Sequence, residues 1–483
     1  MAQSSMETKV SRLVIAGLAG DSGKTLITLS LLAALRKKAL SISVFKKGPD
    51  YIDAAWLSFI SGGSCRNLDT YLTDPTEVLN SFVGNAIDTD IAVIEGNRGL
   101  YDGKDIFGTH STAQLAKLLK ASIILVVNCT KSTRTIAAII KGCQTFDTDV
   151  TIAGVVLNNI AGKRHQKIIT DSIEKFCDLP VLGAIPKLGK DAKLIPGRHL
   201  GLIPPSEFST TTKLTNKFEE IANNYLNIEK LLSLAKNDNS LVTQKASPLS
   251  KEKAVRIGYF RDSVFTFYYP ENLEALKNEG AELVPISSLE DKKLPKIDGL
   301  YIGGGFPETF ARQLTKNNDM MDSVKSSAHT GLPIYAECGG LIYLCKSIKW
   351  EENRYEMAGV FPTNLVMYKK PVGHGYSEME IDKQNPFFEI GESIKGHEFH
   401  YSGISDDTDI GDTSAKMITG IGLGNKRDGL VFKNTMACYT HIHASGVKSW
   451  AESMIKAAKL FKNDRGNSAG NFSGSKRSKK VAA

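Results

Sequence analysis

Long hydrophobic runs are absent from this sequence: no apolar stretch approaches the roughly 20 residues that a transmembrane helix needs. The first residues lack a basic segment followed by an apolar segment and a cleavage site, so no secretory signal is predicted. The seven cysteines are scattered singly, without a CxxC pair or the kind of framework that cross-links secreted domains. We therefore expect a cytoplasmic protein without a membrane partner, in which the thiols are free and mostly buried.

Charge is only mildly unbalanced, with 60 Lys and Arg against 52 Asp and Glu and a net charge of +8. Part of the surplus lies in the C-terminal "KRSKK", and the rest is interspersed with acids. A polyanionic small substrate suits this surplus as well as nucleic acid does. With 483 residues, 42% of them hydrophobic, the chain can form two or three domains that each bury a core.

Two α/β series follow one another along the chain. In residues 1–235, short β-branched runs alternate with longer amphipathic ones, which predicts a mainly parallel sheet covered on both faces. Residues 236–253 lose the apolar period and predict a linker. A second α/β series occupies residues 254–463. Residues 464–483 are small, polar and basic, and predict a disordered tail.

A glycine-rich turn, "GLAGDSGKT", follows the first predicted strand. A strict P-loop would have glycine where this chain has Leu18, so the match is one position off. A tight turn without a ligand is the plain alternative, yet the turn, the Lys-Thr pair and the following helix are what phosphate capture requires. We predict a P-loop NTPase-type domain that binds ATP through these residues: Gly20, Asp21, Ser22, Gly23, Lys24 and Thr25.

Four acidic residues come just after predicted strands: Asp50 and Asp53 after the second, Glu95 and Asp102 after the third. Because the carboxyl ends of parallel strands meet at one edge of a sheet, we expect these acids near the phosphates. Hard oxygen ligands beside phosphate suit Mg²⁺. The predicted metal ligands are Thr25, Asp50, Asp53 and Glu95, although any one acid alone could be a helix cap or a surface residue.

Cys338 lies at the bend of "LPIYAECGG", where a predicted strand turns into a helix. Such an elbow presents a nucleophile, and we expect the helix N-terminus to lower the pKa of the thiol. The later stretch "ACYTHIHASG" offers His441 as base and proton donor and His443 as the group that orients it. Cysteine and histidine are the pair that a thioester mechanism requires.

The turn "YIGGGFPE" ends another predicted strand and offers backbone donors for an oxyanion. Gly304 and Gly305, together with Gly339, are the predicted oxyanion hole, and Gly303 adjoins them. A single buried cysteine is more often inert packing than a nucleophile. The Cys338 elbow, His441 and the glycine turn all follow predicted strands, which favours a catalytic role for Cys338.

Many motifs together resemble one family, the cobyrinic acid a,c-diamide synthases, which include related enzymes for sirohydrochlorin and its nickel form. The resemblance covers nearly all of the chain except the termini and the linker. It implies a synthetase domain similar to dethiobiotin synthetase, followed by a class I glutamine amidotransferase-like α/β domain. The motifs are "GLAGDSGKT", "FKKGPDYIDAAW", "RNLDTYL", "VIEGNRGLYDG", "RHLGLIP", "YYPENLEAL", "GLYIGGGFPE", "YAECGGLIYL", "GHEFHYS" and "YTHIHAS".

The resemblance implies ATP- and glutamine-dependent amidation of the a and c acetate carboxylates of a tetrapyrrole, through acyl phosphates and with Mg²⁺. It puts Asp50, Asp53, Glu95 and Asp102 on the family's acidic positions, and Asn158 where an Asn reads adenine. By the same resemblance the catalytic cysteine attacks the carboxamide of L-glutamine, and ammonia passes to the acyl phosphate.

Three departures from the family leave details open. Asn128 stands where many relatives carry Asp, and His443 where ordinary class I glutaminases carry Glu. "MYKKPVGHGYSE" looks more like enzymes for sirohydrochlorin or its nickel form, since cobyrinate enzymes more often have an LGY-like sequence; a surface hairpin is equally compatible. Lys369, Lys370 and His374 would be substrate contacts or a solvated basic face.

Two other classes compete with an amidating enzyme. A regulatory or partitioning P-loop ATPase with a non-catalytic binding domain has no use for Cys338, His441 and the glycine turn. Nucleic-acid binding through the basic tail is disfavoured because the motifs lie elsewhere, so no nucleic-acid partner is predicted. The sequence leaves the oligomeric state open, with a homodimer among the options.

Overall fold

The structure is a computed structural model that describes residues 5–189, 194–198, 201–208, 211–236, 239–244, 251–406, 408 and 410–474. The chain divides into two compact units, Met1–Ser247 and Pro248–Ala483. The cysteines are buried except Cys143, which is half-buried, as predicted. Within the described residues, no helix is long and apolar enough to span a bilayer.

The first unit contains a seven-stranded sheet between helices. The strands of the whole unit, inside and outside that sheet, are β1 (Ser5–Thr8), β2 (Arg12–Gly17), β3 (Ile42–Lys47), β4 (Cys65–Leu68), β5 (Ile91–Glu95), β6 (Ser122–Asn128), β7 (Ile152–Ile160), β8 (Val181–Pro186), β9 (Gly197–Arg198), β10 (Gly201–Leu202) and β11 (Leu241–Gln244). Its helices are α1 (Lys24–Lys37), α2 (Tyr51–Ser61), α3 (Pro75–Ala86), α4 (Thr112–Leu118), α5 (Thr135–Phe146), α6 (Lys163–Cys177), α7 (Thr211–Tyr225) and α8 (Ile228–Ala235), with a 3₁₀ turn at Pro205–Glu207.

All strands of this sheet run parallel, in the order β4-β3-β5-β2-β6-β7-β8. β2 and β5 are buried along their whole length, because helices cover both faces of a parallel sheet. The predicted α/β class and mainly parallel sheet are confirmed. The register places Lys46 of β3 beside Glu95 of β5, at the carboxyl edge where β2 leads into the phosphate loop.

Part of the predicted linker is ordered within the first unit. β11 pairs antiparallel with β1, and Leu241 is 2% exposed in the core. The backbone just before it is also held, since Arg12 donates a hydrogen bond to Asn239 O at 3.0 Å. Residues 241–244 of the predicted linker thus form a strand of the first unit, in which Leu241 and Thr243 are buried and Val242 is exposed.

The second unit is built around a ten-stranded mixed sheet. The strands of the whole unit, inside and outside that sheet, are β12 (Val255–Phe260), β13 (Phe265–Phe267), β14 (Ala281–Ile286), β15 (Gly299–Ile302), β16 (Gly304–Gly305), β17 (Ile334–Glu337), β18 (Ser347–Trp350), β19 (Asn353–Glu356), β20 (Asn364–Met367), β21 (Gly373–Ile381), β22 (Ser393–His400), β23 (Ser402–Ile404), β24 (Thr413–Thr419), β25 (Arg427–Phe432), β26 (Thr435–Cys438) and β27 (His441–Ile442). Its helices are α9 (Pro270–Asn278), α10 (Ala311–Leu314), α11 (Asn318–His329), α12 (Gly339–Leu344) and α13 (Lys448–Gly474).

The large sheet has the order β14-β12-β15-β17-β26-β25-β24-β21-β22-β27. Its first five strands pair in parallel, and the others pair antiparallel. The sequence pattern predicted an α/β series in this unit without strand directions. Most of the antiparallel strands escaped notice because they alternate buried and exposed residues, as in β21. β15, β17 and β26 are neighbours, so the segments that follow them gather at one edge.

The last helix, α13, extends into the segment predicted to be a disordered tail. Residues 464–474 are helical, and residues 475–483 lie outside the described residues. Arg465 contributes to this extension, since its guanidinium bonds Asp298 Oδ1 at 2.8 Å and Ile297 O at 3.2 Å. The prediction of disorder is thus wrong for residues 464–474. Their composition is too polar to order by itself, but the hydrogen bonds of Arg465 attach the helix to Ile297 and Asp298.

Candidate active site

The phosphate loop of the first unit joins β2 to α1. Gly23, just before α1, has φ 98° and ψ 18°, in the left-handed region. A Cβ built on it would lie 2.1 Å from Asn158 Nδ2. α1 begins at Lys24, and no described side chain caps its first amide groups. Loop and helix N–H groups therefore form the arrangement that binds phosphate.

Side chains hold this loop in shape. Ser22 Oγ donates to Ala19 O at 2.8 Å, and Asn158 Nδ2 donates to Ser22 O at 3.0 Å. Gly20 and Asp21 lie on its exposed side. The structure thus places Asn158 against the loop itself, and its role in reading adenine stays a prediction.

Lys24 lies across the phosphate loop. Its Nζ donates to Ala19 O at 3.0 Å and to Arg98 O at 2.7 Å. Burial lowers the pKa of Lys24 below its ordinary value, and the nearby Lys46 lowers it further. An ammonium held by carbonyl oxygens can exchange them for phosphate oxygens, which is the role of the P-loop lysine.

A buried ion-pair cluster lies beside the loop, and the sequence interpretation missed its central residue, Lys46. Its Nζ lies 2.7 Å from Asp53 Oδ2 and 2.7 Å from Glu95 Oε1. Thr25 Oγ1 donates to the same Glu95 oxygen at 2.8 Å. Burial by itself would lower the pKa of Lys46, but the two carboxylates raise it above its ordinary value. Lys46 is therefore a stable positive charge beside the first turn of α1.

The four predicted acids do not form one cluster. Asp53 and Glu95 share Lys46, whereas Asp50 caps α2 by accepting from Asp53 N at 2.8 Å. Burial, followed by the Asp53 charge, raises the pKa of Asp50 to about 7. Asp102 accepts a backbone hydrogen bond within its own turn at 2.8 Å and lines a cavity of about 590 Å³.

Glu95 and Thr25 are the donors that fit a divalent cation. Glu95 Oε2 is buried and has no hydrogen-bond partner among the described residues. In the described part of the chain, no three His, Cys, Asp or Glu side chains surround a common metal position. Mg²⁺ beside phosphate commonly takes one or two protein ligands and completes its shell with phosphate oxygens and water. One carboxylate and one hydroxyl at the phosphate loop suit that pattern.

In the second unit, Cys338 occupies a sharp turn between β17 and α12. Its φ of 46° and ψ of −94° are unfavourable for a side chain other than glycine. Gly339 and Gly340 permit a close approach, because a Cβ on Gly340 would lie 2.4 Å from Ile302 O. The strain resembles that of a nucleophile elbow and indicates a function for the cysteine.

The expectation of a lowered thiol pKa is wrong. Burial raises the pKa of the Cys338 thiol above its ordinary value, and the Glu308 carboxylate raises it further. The side chain is 5% exposed, and α12 spans only Gly339–Leu344, so desolvation outweighs the helix terminus. The resting thiol is protonated and needs a base.

The glycine turn and His441 lie together. A Cβ on Gly304 would lie 2.5 Å from His441 Cε1 and 3.3 Å from its Nε2, while a Cβ on Gly339 would lie 2.7 Å from Gly305 N. Gly305 has φ 159°, and its added Cβ would lie 1.8 Å from Val264 O. The structure therefore brings together the three predicted oxyanion-hole glycines and the predicted base.

The two histidines face different carboxylates. His441 Nδ1 lies 3.6 Å from Glu337 Oε2, and His443 Nε2 lies 3.7 Å from Glu271 Oε2. The His441 ring stacks on His397, with centroids 5.0 Å apart and planes 19° apart. The structure thus puts the Glu337 carboxylate beside His441, whereas His443, the residue expected to orient His441, faces Glu271. Sequence reasoning left Glu337 without a role and missed His397.

The fold and the two sites define a class: a nucleotide-binding domain followed by a glutamine amidotransferase domain. Residues 13–199 match the CobQ/CobB/MinD/ParA nucleotide binding domain. Residues 256–448 match the CobB/CobQ-like glutamine amidotransferase domain.

Relatives match the chain across both domains. It is 40% identical to a cobyrinate a,c-diamide synthase of Magnetococcus marinus, over 92% of this chain and 97% of the relative. Identity is 38% to the synthase of that name from Archaeoglobus fulgidus, over 93% and 98%, and 39% to that from Caldanaerobacter subterraneus, over 91% and 97%. The chain belongs to the cobyrinate a,c-diamide synthase family.

Membership of this family makes the chain an enzyme, a carbon–nitrogen ligase with glutamine as amido donor. The nucleotide-binding domain supports the use of ATP. A regulatory ATPase with a non-catalytic second domain loses its support, because relatives that match over both domains are named as synthases.

The Lys46 cluster generates a prediction on stability. In Lys46→Met, two carboxylates lose their shared counter-charge, and we expect the free energy of unfolding at pH 7 to fall by about 3–5 kcal/mol. Burial raises the pKa of Glu95 above its ordinary value, and Lys46 counteracts this rise. Without Lys46 the pKa of Glu95 rises further, so the variant loses more stability than the unchanged protein as pH rises and the carboxylate ionises. The deficit should therefore be larger at pH 8 than at pH 5 in urea denaturation.

Lys38→Met is the matched control, because Lys38 forms an exposed pair with Glu229 at 2.8 Å and surface pairs contribute little. Equal losses in the two variants would contradict a central role for Lys46.

A second prediction concerns the phosphate loop. In Gly23→Ala, the added Cβ meets Asn158 and occupies a left-handed conformation, so we expect ATP to bind about 10-fold more weakly or worse. Titration with a fluorescent ATP analogue measures the affinity. Gly84→Ala, in open space on α3, should bind as the unchanged protein does. Normal affinity in Gly23→Ala would show that this loop does not hold the phosphates.

Proposed function

We propose that this enzyme amidates the a and c acetate carboxylates of a tetrapyrrole, each through an acyl phosphate, with ammonia released from glutamine at Cys338. The strained Cys338 beside His441 and the glycine turn is the observation that carries the proposal. A protein that only binds nucleotide has no need of such a turn.

The first unit would activate the carboxylate. Oxide is not a viable leaving group, so the γ-phosphoryl of ATP is transferred to the carboxylate, and phosphate then leaves when ammonia attacks. Lys24 and the amide groups of the loop would hold the phosphates, and Lys46 would offset the charge of the two acids beside them. Thr25 and Glu95 would hold Mg²⁺, which neutralises phosphate charge when bound.

The second unit would release ammonia. His441 Nε2 takes the proton of the Cys338 thiol as the sulfur attacks the carboxamide carbon of glutamine. The oxyanion that forms accepts hydrogen bonds from Gly305 N–H and Gly339 N–H, which lie close together. The same nitrogen returns the proton to the departing ammonia, and water then hydrolyses the thioester to glutamate.

The identity of the tetrapyrrole is part of the proposal. The relatives are named for cobyrinate, whereas the "HGY" sequence favours sirohydrochlorin or its nickel form. His374 is the second residue of β21 and is exposed, with its ring 4.5 Å from that of Phe399. Lys369 and Lys370 are also exposed, and we propose that these three side chains contact carboxylates of the macrocycle.

The division of labour between the two units can be tested with Cys338→Ala. We expect glutamine-dependent amidation to fall by about 10³-fold or more, while amidation with ammonium salts stays within about twofold. Coupled phosphate release measures both activities. Cys345→Ala is the matched control, because Cys345 is buried at the end of the same helix and should retain both. Loss of both activities in Cys338→Ala alone would contradict the proposal.

A substrate comparison tests the macrocycle. Cobyrinate, sirohydrochlorin and nickel-sirohydrochlorin are offered separately with ATP, Mg²⁺ and glutamine, and mass spectrometry follows the replacement of carboxyl by carboxamide. We expect a diamide from at least one of them, since all carry acetates at the a and c positions. Turnover of cobyrinate alone supports the relatives' name, and turnover of a sirohydrochlorin alone supports the "HGY" interpretation. No diamide from any macrocycle would contradict the proposed substrate class.

A further inference from the structure

We propose that Glu337, the residue just before the nucleophile, is the positioning residue of His441. Its carboxylate holds His441 Nδ1 so that Nε2 faces the Cys338 thiol. The inference rests on the glutaminase site proposed above and assigns it a third member.

The geometry around the His441 ring gives its two nitrogens different surroundings. Nδ1 lies 3.6 Å from Glu337 Oε2. Nε2 lies 3.3 Å from a Cβ built on Gly304, and Cε1, which bridges the two ring nitrogens, lies 2.5 Å from it. The Gly304 carbonyl carbon is in turn 3.2 Å from a Cβ built on Gly339, the residue after Cys338. The Nε2 edge is thus on the side of the nucleophile. Catalytic hydrogen bonds often tighten only with substrate bound, so 3.6 Å is compatible with this role.

The carboxylate is itself held in place. Glu337 Oε2 accepts from Tyr301 OH at 2.9 Å, and Oε1 accepts from Ile442 N at 3.1 Å. Asn272 braces both donors, since its Nδ2 donates to Tyr301 OH at 3.2 Å and to Ile442 O at 3.0 Å. The segment that carries His441 is therefore tied directly to Glu337.

The buried carboxylate of Glu337 needs compensation, which Tyr301 OH and Ile442 N give as donors and His441 gives as a basic side chain. Glu337 is fully buried, and an ionised carboxylate in that setting destabilises the fold unless a charge or strong donors compensate. In the described part of the chain, the basic side chain within ion-pair distance of Glu337 is His441. A carboxylate placed there compensates the imidazolium that forms whenever Nε2 takes the thiol proton.

The role leaves the reaction balanced. The thiol proton moves to His441 Nε2 as the sulfur–carbon bond forms, and it moves on to the leaving nitrogen as the carbon–nitrogen bond breaks. Glu337 receives no proton in this sequence, and none of its own bonds forms or breaks. It acts through His441 and does not touch glutamine, which distinguishes it from a catalytic acid.

Glu337→Gln tests the inference, because it keeps the size of the side chain and removes its charge. We expect kcat for glutamine hydrolysis to fall by about 10²-fold or more, with KM for glutamine changed by less than about twofold, since ground-state binding is untouched. Ammonia-dependent amidation should be unchanged. Alkylation of Cys338 by iodoacetamide, followed by peptide mass spectrometry without glutamine, should slow because the base is misplaced.

Glu308→Gln is the matched comparison. Both Glu308 and Glu337 raise the pKa of the Cys338 thiol through their charge, so removal of a mere local charge favours thiolate and speeds alkylation. We expect faster alkylation in Glu308→Gln and slower alkylation in Glu337→Gln. Faster alkylation in both variants would overturn the proposal.

Two further variants keep the outcomes separable. If glutamine hydrolysis persists in Cys338→Ala, the proposed nucleophile is refuted. If hydrolysis is lost in Cys338→Ala but kcat is normal in Glu337→Gln, only the role of Glu337 is refuted.

Should Glu337→Gln fail to fold, Tyr301→Phe removes one donor to the Glu337 carboxylate. We expect Tyr301→Phe to lower kcat by about 10-fold with KM unchanged, and a normal kcat would overturn the inference.

Discussion

Parallel strand pairing is the constraint on which the chemistry of both units depends. Strands that run in the same direction end at the same edge, so residues far apart in sequence become neighbours there. In the first unit this edge brings Lys46 beside Glu95, and both lie next to the loop that follows β2. In the second unit it puts Glu337 beside Cys438. Cys338 follows Glu337 directly, and His441 comes three residues after Cys438, at the start of β27.

Much of this arrangement is readable from sequence, because strand ends and glycine turns leave a local signature. The phosphate loop, the acids Asp53 and Glu95, the Cys338 turn and His441 lie where their strands predict. Lys46 escaped notice although a signal existed: a lysine at the next-to-last position of an apolar strand points to a buried partner. What it pairs with depends on register between strands, which a single segment does not encode.

Burial explains the remaining differences between expectation and structure. The helix that begins beside Cys338 was expected to lower the pKa of its thiol. Burial raises the pKa instead, because desolvation of the thiol depends on packing from distant segments. Glu337 could equally have faced solvent or another domain on sequence grounds. Its contacts with Tyr301 and Ile442 are made over long sequence separations, so only the folded chain reveals that it faces His441. The ordered strand Leu241–Gln244 within the predicted linker follows the same rule.

The protonated state of Cys338 has a consequence outside the catalytic cycle. Peroxide and electrophiles react with thiolate far faster than with thiol. In the proposed mechanism, Cys338 is a thiolate only while it reacts with glutamine. Burial of this turn therefore lowers the thiolate fraction of Cys338, and with it the rate at which peroxide and electrophiles react with the sulfur.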